Sequence, residues 1–219
     1  MHKLIQNSPD LMFTEPAPHT PQIRFRGFTG PWKKKTLDEL FILRNGYTPS
    51  KANPRYWTNG EIPWFRMDDI REQGHILKDA AQHITKEAVK DSGLFPAGSF
   101  IISTTATIGE HALLIADSLA NQQFTVLQTV NRWNTIDMMY FYQYGFILGE
   151  WCRQNVNVGG LNAVNISDLR QHTVPYPSIQ EQKLIANFLL SHDNQITDSQ
   201  QQIIKLRNIK QSCLQKMFA

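Results

Sequence analysis

The sequence predicts an α+β fold, a globular domain over residues 22–176 followed by a long C-terminal coiled-coil helix over 178–219. Three observations carry that expectation. Phe100-Ile101-Ile102-Ser103, entered through the turn Pro96-Ala97-Gly98-Ser99, has the length and punctuation of a buried strand. Met138–Cys152 is long and aromatic enough for a buried helix. After Ser178 neither proline nor glycine occurs through Ala219, so nothing in that stretch interrupts a helix.

Residues 1–21 hold Pro9, Pro16, Pro18 and Pro21 without a sustained period, which predicts a flexible leader. Ordered chain is expected from Ile23, where Ile23, Phe25 and Phe28 surround Gly27 and Gly30. Thr36 and Glu39 have the spacing of a capping box around a short helical turn, with a strand over Phe41–Leu43. Gly46 to Trp64 is loop chemistry, with Pro49, Asn53-Pro54, Asn59-Gly60 and Pro63 among Tyr47, Tyr56, Trp57 and Trp64. A second apolar strand is expected over Ala112–Ala116 after the break at Gly109, and a loop over Val156–Asn162 around Gly159-Gly160. Pro175 and Pro177 close the globular part.

Two seven-residue ladders run along the terminal helix. Ile185, His192, Ser199, Leu206 and Cys213 form one; Leu189, Ile196, Ile203, Lys210 and Met217 form the other. Seven of the ten positions are apolar, the a/d spacing of a coiled coil, while His192, Ser199 and Lys210 either fix register or sit at solvent-exposed crossings. A helix of some 40 residues extends about 60 Å at 1.5 Å per residue, longer than the preceding domain can cover, so part of its stripe calls for a partner helix.

Composition narrows the class. The chain has 219 residues, 41% hydrophobic and 19% charged, which excludes global disorder. The longest nearly apolar stretch, Met138–Leu148, is too short to span a bilayer, and the N-terminus lacks a signal-like apolar run; a soluble, cytoplasmic protein is expected, with no membrane partner. Cys152 and Cys213 alone cannot make a disulfide framework or a zinc site. Net charge is only +3, but residues 22–60 carry eight basic and two acidic groups, whereas 61–177 carry eight basic and twelve acidic. The basic stripe suits either phosphate binding or a solvated face.

Catalytic patterns are absent. Asn53-Pro54-Arg55-Tyr56 approaches a methyltransferase loop but lacks its second proline and any glycine-rich cofactor turn. Asp68-Asp69 and Glu87-Ala88-Val89-Lys90 suit a turn and helix-surface charge, and the seven histidines are scattered, expected at the surface or as satisfied polar groups. No metal site is expected; a dispersed triad would leave no trace in sequence.

Several motifs come in a definite order: Trp32, Leu37-Asp38-Glu39-Leu40, Gly46-Tyr47-Thr48-Pro49-Ser50, Tyr56-Trp57 and Gly60-Glu61-Ile62-Pro63-Trp64. Pro96-Ala97-Gly98-Ser99, Ala106-Thr107-Ile108-Gly109 and Asn121-Gln122 follow, then Asn165-Ile166-Ser167-Asp168-Leu169, Val174-Pro175-Tyr176-Pro177, Glu181-Gln182 and Ile185-Ala186. Together they resemble one target-recognition domain and one conserved helix of the specificity (S, HsdS) subunit of type I restriction–modification systems. The resemblance covers residues 23–219 and departs in one respect, since such subunits usually hold two units in tandem. It implies a half-subunit, natural or truncated, that recognises part of a split double-stranded DNA target. It also implies a homodimer through the C-terminal helix, by Ile185, Leu189, Ile196, Ile203, Leu206, Cys213 and Met217, and docking of a methyltransferase (modification) subunit. The chain itself would be non-catalytic and without cofactor; S-adenosylmethionine, ATP and Mg belong to partner subunits.

For DNA, Lys51, Arg55, Arg66 and Lys78 are expected at phosphates or guanine, and Gln73, Gln82 and Asn157 at base edges. Tyr47, Tyr56, Trp57 and Trp64 either stack on bases or anchor the loop. Three other functions fit the sequence: a specificity subunit of a modification-only system, a non-DNA interaction adaptor, and an enzyme with a dispersed site.

Overall fold

Phe100-Ile101-Ile102-Ser103 has no polar face because both of its faces are covered. The computed structural model describes residues 21, 23–129, 135–157 and 162–218; all but the last residue of the expected leader, and the Gly159-Gly160 turn, lie outside them. In chain order the elements are β1 (Lys33–Thr36), α1 (Leu37–Leu40), β2 (Phe41–Asn45), β3 (Ile62–Phe65), α2 (Met67–Gln73), β4 (Ile76–Leu77), β5 (His83–Ile84), β6 (Phe100–Ser103), β7 (His111–Leu114), β8 (Leu119–Ala120), β9 (Phe124–Thr129), α3 (Met138–Gln154), α4 (Ile166–Gln171), β10 (Thr173–Tyr176) and α5 (Ile179–Phe218). Two short 3-10 turns occupy Pro54–Tyr56 and Lys86–Ala88.

The main sheet has strand order β2-β9-β6-β7-β4, antiparallel except where β4 joins β7. With β6 at its centre, Phe100 and Ile102 pack against Tyr140, Phe141, Tyr144 and Leu148 of α3. Ile101 packs on the other side with Trp64, Phe65, Ile70, Leu114 and Val126. Alternate strand residues point to opposite faces, so a strand covered on both reads as one apolar run. The second core is roofed by α2 and a small sheet, β5-β3-β8, whose β3 and β8 run parallel. The ribbon β1–β10 ties the start of the chain to the root of α5, with Lys33 opposite Tyr176 and Thr36 opposite Thr173.

Small residues let α3 lie directly on the β6–β7 hairpin. A Cβ on Gly149 would stand 2.4 Å from the Gly109 carbonyl oxygen, and one on Gly145 would stand 2.7 Å from the His111 ring. His111, opening β7, is buried, stacked on Phe100 at 5.4 Å and edge-on to Phe146 at 4.7 Å. Its Nδ1 donates to the Gly109 carbonyl at 3.2 Å, whereas Nε2 has no partner. The expectation of surface or satisfied histidines fails at this position, because a strand paired with Ile102 carries the ring inward whatever its polarity. Burial pulls the His111 pKa down to about 3, and burial alone pulls His172 to about 4. The fold therefore holds neutral rings, while the unfolded chain takes up protons below about 6.5. Stability is complete above that pH and falls as pH drops from about 6.5 towards 3, by up to about 1.4 kcal/mol per pH unit for each fully buried ring. Urea midpoints at pH 7 and pH 5 should show this loss, and His111→Leu should reduce it to the share of His172.

Three local expectations are corrected. The strand expected to reach Ala116 ends at Leu114, and Ile115 is 46% exposed. The loop expected to run to Trp64 already contains β3 from Ile62. Asp68-Asp69, expected in an isolated turn, form the first turn of the helix α2. There, buried Asp69 accepts from Arg66 N at 2.7 Å and from Ala81 N at 2.8 Å, capping the helix and tying down the chain after β4.

The terminal helix is continuous over Ile179–Phe218, and its root belongs to the first core. Glu181, almost fully buried, accepts from Arg24 Nε at 2.7 Å. Gln182 accepts from Asp137 N at 2.8 Å and donates to Thr135 O and Pro177 O at 2.9 and 3.0 Å. Gln143 of α3 donates to Asp193 at 2.8 Å. Ile185, Ala186 and Leu189 complete the packing, so these first rungs of the predicted ladder are covered by the chain's own domain and are not available to a second chain. No helix among the described residues is long and apolar enough to cross a membrane.

Candidate nucleic-acid interface

At one end of the main sheet β2 and β6 finish while β7 and β9 begin, so the loops after β2, after β6 and before β9 converge. Gly46 N donates to Phe124 O at 2.9 Å and Tyr47 N to Ala120 O at 2.8 Å. A Cβ at Gly46 would lie 2.1 Å from the Asn121 carbonyl oxygen, so only glycine admits this approach. Because β3 runs parallel to β8, its C-terminus reaches the same place: Asn121 N donates to Phe65 O at 2.9 Å, which sets Arg66 beside Asn121.

The aromatic residues of the 46–64 loop anchor it. Trp64 Nε1 donates to Tyr47 O at 2.9 Å and Trp57 Nε1 to Ser50 O at 3.0 Å, with the two indoles edge to face at 5.0 Å. The Tyr47 hydroxyl donates to Ala88 O at 3.2 Å and accepts from Lys90 N at 2.9 Å. With their polar atoms engaged inside the fold, these three rings hold the loop in place. Lys51 stands on this scaffold, its Nζ 5.9 Å from the Trp64 ring centre.

Between β8 and β9 sits the run Asn121-Gln122-Gln123. The Thr48 hydroxyl donates to Gln122 Oε1. Gln123 N donates to Asn121 Oδ1 at 3.0 Å, and Asn121 Nδ2 donates to Gln123 Oε1 at 3.3 Å. Thr104 N donates to Gln123 O at 3.1 Å, joining the turn after β6, where Ala106 adopts a left-handed φ of 57°. A non-glycine residue in that region is uncommon and is held only by surrounding contacts.

The structure sorts the predicted DNA residues. Lys51 and Arg66 lie on this rim, and exposed Asn157 joins it, since Asn157 N donates to Ala163 O and Ala163 bridges Thr105. Arg66 Nε is buried without a partner, and its guanidinium has the Asp68 carboxylate at 3.7 Å. Arg55 is exposed at the opposite end of β3, where Thr85 Oγ1 donates to its carbonyl at 2.8 Å. Gln73 closes α2, and Lys78 follows β4 beyond the other end of the main sheet, where Ile115 N donates to Leu77 O. Gln82 turns its Oε1 into the protein, buried and unpaired, so this oxygen cannot reach a base edge. The basic stripe is likewise not one face. Arg24 pairs with Glu181, Arg44 donates to Gly93 O and Leu94 O, and Lys33 and Lys35 line a separate cleft of about 690 Å³ at the root of α5. Thr48, Gln122 and Gln123 were not selected from sequence as binding residues; three consecutive amides between two apolar runs is the signal that marks them. Among the described residues no group of three or more His, Cys, Asp or Glu side chains could hold a metal ion.

Residues 29–208 match the family described as type I restriction modification DNA specificity domain. The chain is 47% identical over 142 residues to the type I restriction enzyme EcoprrI specificity subunit of Escherichia coli, covering 64% of this chain and 35% of that protein. It is 30% identical over 184 residues to the EcoR124I/EcoR124II specificity subunit of the same species, covering 79% and 44%. Its fold is similar to the HsdS subunit from Thermoanaerobacter tengcongensis, with TM-score 0.65 and 16% identity over 90% of this chain and 44% of that one. The S subunit from M. genitalium gives 0.57 and 17% over 80% and 42%. The chain spans less than half the length of each of these relatives.

Proposed function

The chain belongs to the type I restriction-modification DNA specificity family, and from that premise we propose that it recognises one half of a bipartite DNA target and directs modification and restriction subunits to it. The observation that carries the reading is the convergence of Lys51, Arg66 and the Asn121–Gln123 amides on one rigid sheet end. Recognition groups are commonly loop residues held by a fixed scaffold, and cations beside neutral donors are the chemistry that DNA contact needs. In this reading residues 22–176 act as the recognition domain and the helix beyond as spacer, dimerisation element and platform for the methyltransferase subunit. Catalysis, with S-adenosylmethionine, ATP and Mg, belongs to those other chains.

The outer half of α5 supports pairing with a second copy. Ile203, Leu206 and Met217 are exposed on the predicted ladder, with Ile204, Ile209, Leu214 and Phe218 exposed around them. Two copies paired in opposite directions would place two recognition domains about a twofold axis, which favours an inverted, split site. Selection from a random duplex library, using the chain with its modification subunit, is expected to enrich two inverted copies of one short motif across a fixed gap. Enrichment of no sequence, with binding that merely falls with salt, would sink the specificity reading.

A further inference from the structure

Resting on the DNA reading, we propose that Lys51 and Gln122 form a clamp for the DNA sugar–phosphate backbone and do not read bases. The argument is the direction of the hydrogen bonds. Reading adenine with an amide requires both its oxygen and its N–H at the base edge, the oxygen accepting from N6 and the N–H donating to N7. Here each amide oxygen of the run already accepts from inside the chain: Gln122 Oε1 from Thr48, Asn121 Oδ1 from Gln123 N at 3.0 Å, and Gln123 Oε1 from Asn121 Nδ2 at 3.3 Å. What Gln122 presents outward is therefore N–H. Gln122 is exposed and its Nε2 has no hydrogen-bond partner among the described residues. Lys51, exposed and carried on the loop that begins at Gly46, adds three more donors and no acceptor. With the Gln122 oxygen turned towards Thr48, an outward amide N–H beside an ammonium suits a ligand rich in acceptors, and phosphate oxygens are that ligand along a duplex.

Asp68, 3.7 Å from Arg66, partly neutralises that arginine, and Lys51 is the cation assigned to the clamp. Thr48 then acts as a positioning residue: by holding Oε1 it fixes which edge of the Gln122 amide faces outward.

The test is Gln122→Glu, which replaces an N–H₂ by an acceptor oxygen of nearly the same shape. In the full chain, with the duplex selected by the wild type, the substitution is expected to weaken binding at least tenfold for every sequence and to leave the selected motif unchanged. Lys51→Ala is expected to lower the slope of log K against log salt by about 0.9, again without altering the motif. Both positions are exposed, and unchanged circular-dichroism melting would establish that the variants fold. A change at one base of the motif in Gln122→Glu, towards cytosine as carboxylate readout predicts, would overturn the clamp and make Gln122 a reader. Wild-type affinity and salt slope in both variants would also overturn it. A wild-type chain that selects no motif would defeat the specificity reading separately, and a lowered salt slope in Lys51→Ala would still report a phosphate contact.

Discussion

Gly149→Ala is expected to destabilise the protein by roughly 2–3 kcal/mol, although helix propensity alone favours the change by about 0.5–1 kcal/mol. Gly149 sits inside α3, where alanine is ordinarily the better residue. The opposing term is contact with backbone. The new methyl would stand 2.4 Å from the Gly109 carbonyl oxygen, and a Cβ on Gly109 would meet Gly149 O at the same 2.4 Å. Neither partner is the end of a flexible side chain, so helix and hairpin must separate, and the stack of Phe100, His111 and Phe141 opens with them. Gly149→Val should lose more. Urea denaturation decides the matter, since a midpoint raised by Gly149→Ala would mean that helix and hairpin separate at no net cost.

Ile203→Asp is expected to convert a paired chain to a monomer while the melting of the globular part stays within about 0.5 kcal/mol of wild type, the usual range for a surface position. Ile203 is 49% exposed, with Leu206 and Lys210 exposed beyond it, so in a single copy the carboxylate would meet water. In a helix pair it would be desolvated without a partner. Ile185→Asp, on the same face, should behave differently. At 3% exposure Ile185 lies in the domain core, and its replacement should abolish folding rather than association. Light scattering together with thermal melting separates the two, and unchanged mass in Ile203→Asp would remove the outer ladder as an interface.

What could be foreseen from sequence follows the range of the interactions. The capping box at Thr36 and Glu39 spans three residues and forms in both directions, at 3.3 and 2.8 Å. The uninterrupted terminal helix and the doubly covered β6 are likewise visible as local patterns. The strands β4, β5 and β8 have two residues each, too few to show a period, and they exist because of the strands they join. Most of the rim is non-local: Thr48 and Gln122 are 74 residues apart, and nothing near either one indicates the other. The two ladders are one pattern in sequence, yet Ile185 and Leu189 face their own domain whereas Ile203, Leu206 and Met217 face outward. Periodicity gives the face of a helix but not what covers it. Charge behaved similarly, because counting the basic residues near the N-terminus could not foresee that Arg24 and Arg44 are spent on Glu181 and on the carbonyls of Gly93 and Leu94.

The root of α5 makes the helix a lever with a fixed fulcrum. Glu181, Gln182, Ile185 and Leu189 are gripped by Arg24, Asp137, Thr135 and the first core, with Asp193 held from α3, so the helix leaves the domain in one direction. Beyond Leu190 the rod runs on to Phe218, about 40 Å at 1.5 Å per residue. A tilt of about 10° at the fulcrum would swing its tip by roughly 7 Å, about two base-pair steps of B-DNA at 3.4 Å each. In the pair proposed above, a core substitution at the root would thus shift one recognition domain against the other, and a single buried glutamine would act as the set screw of a molecular ruler.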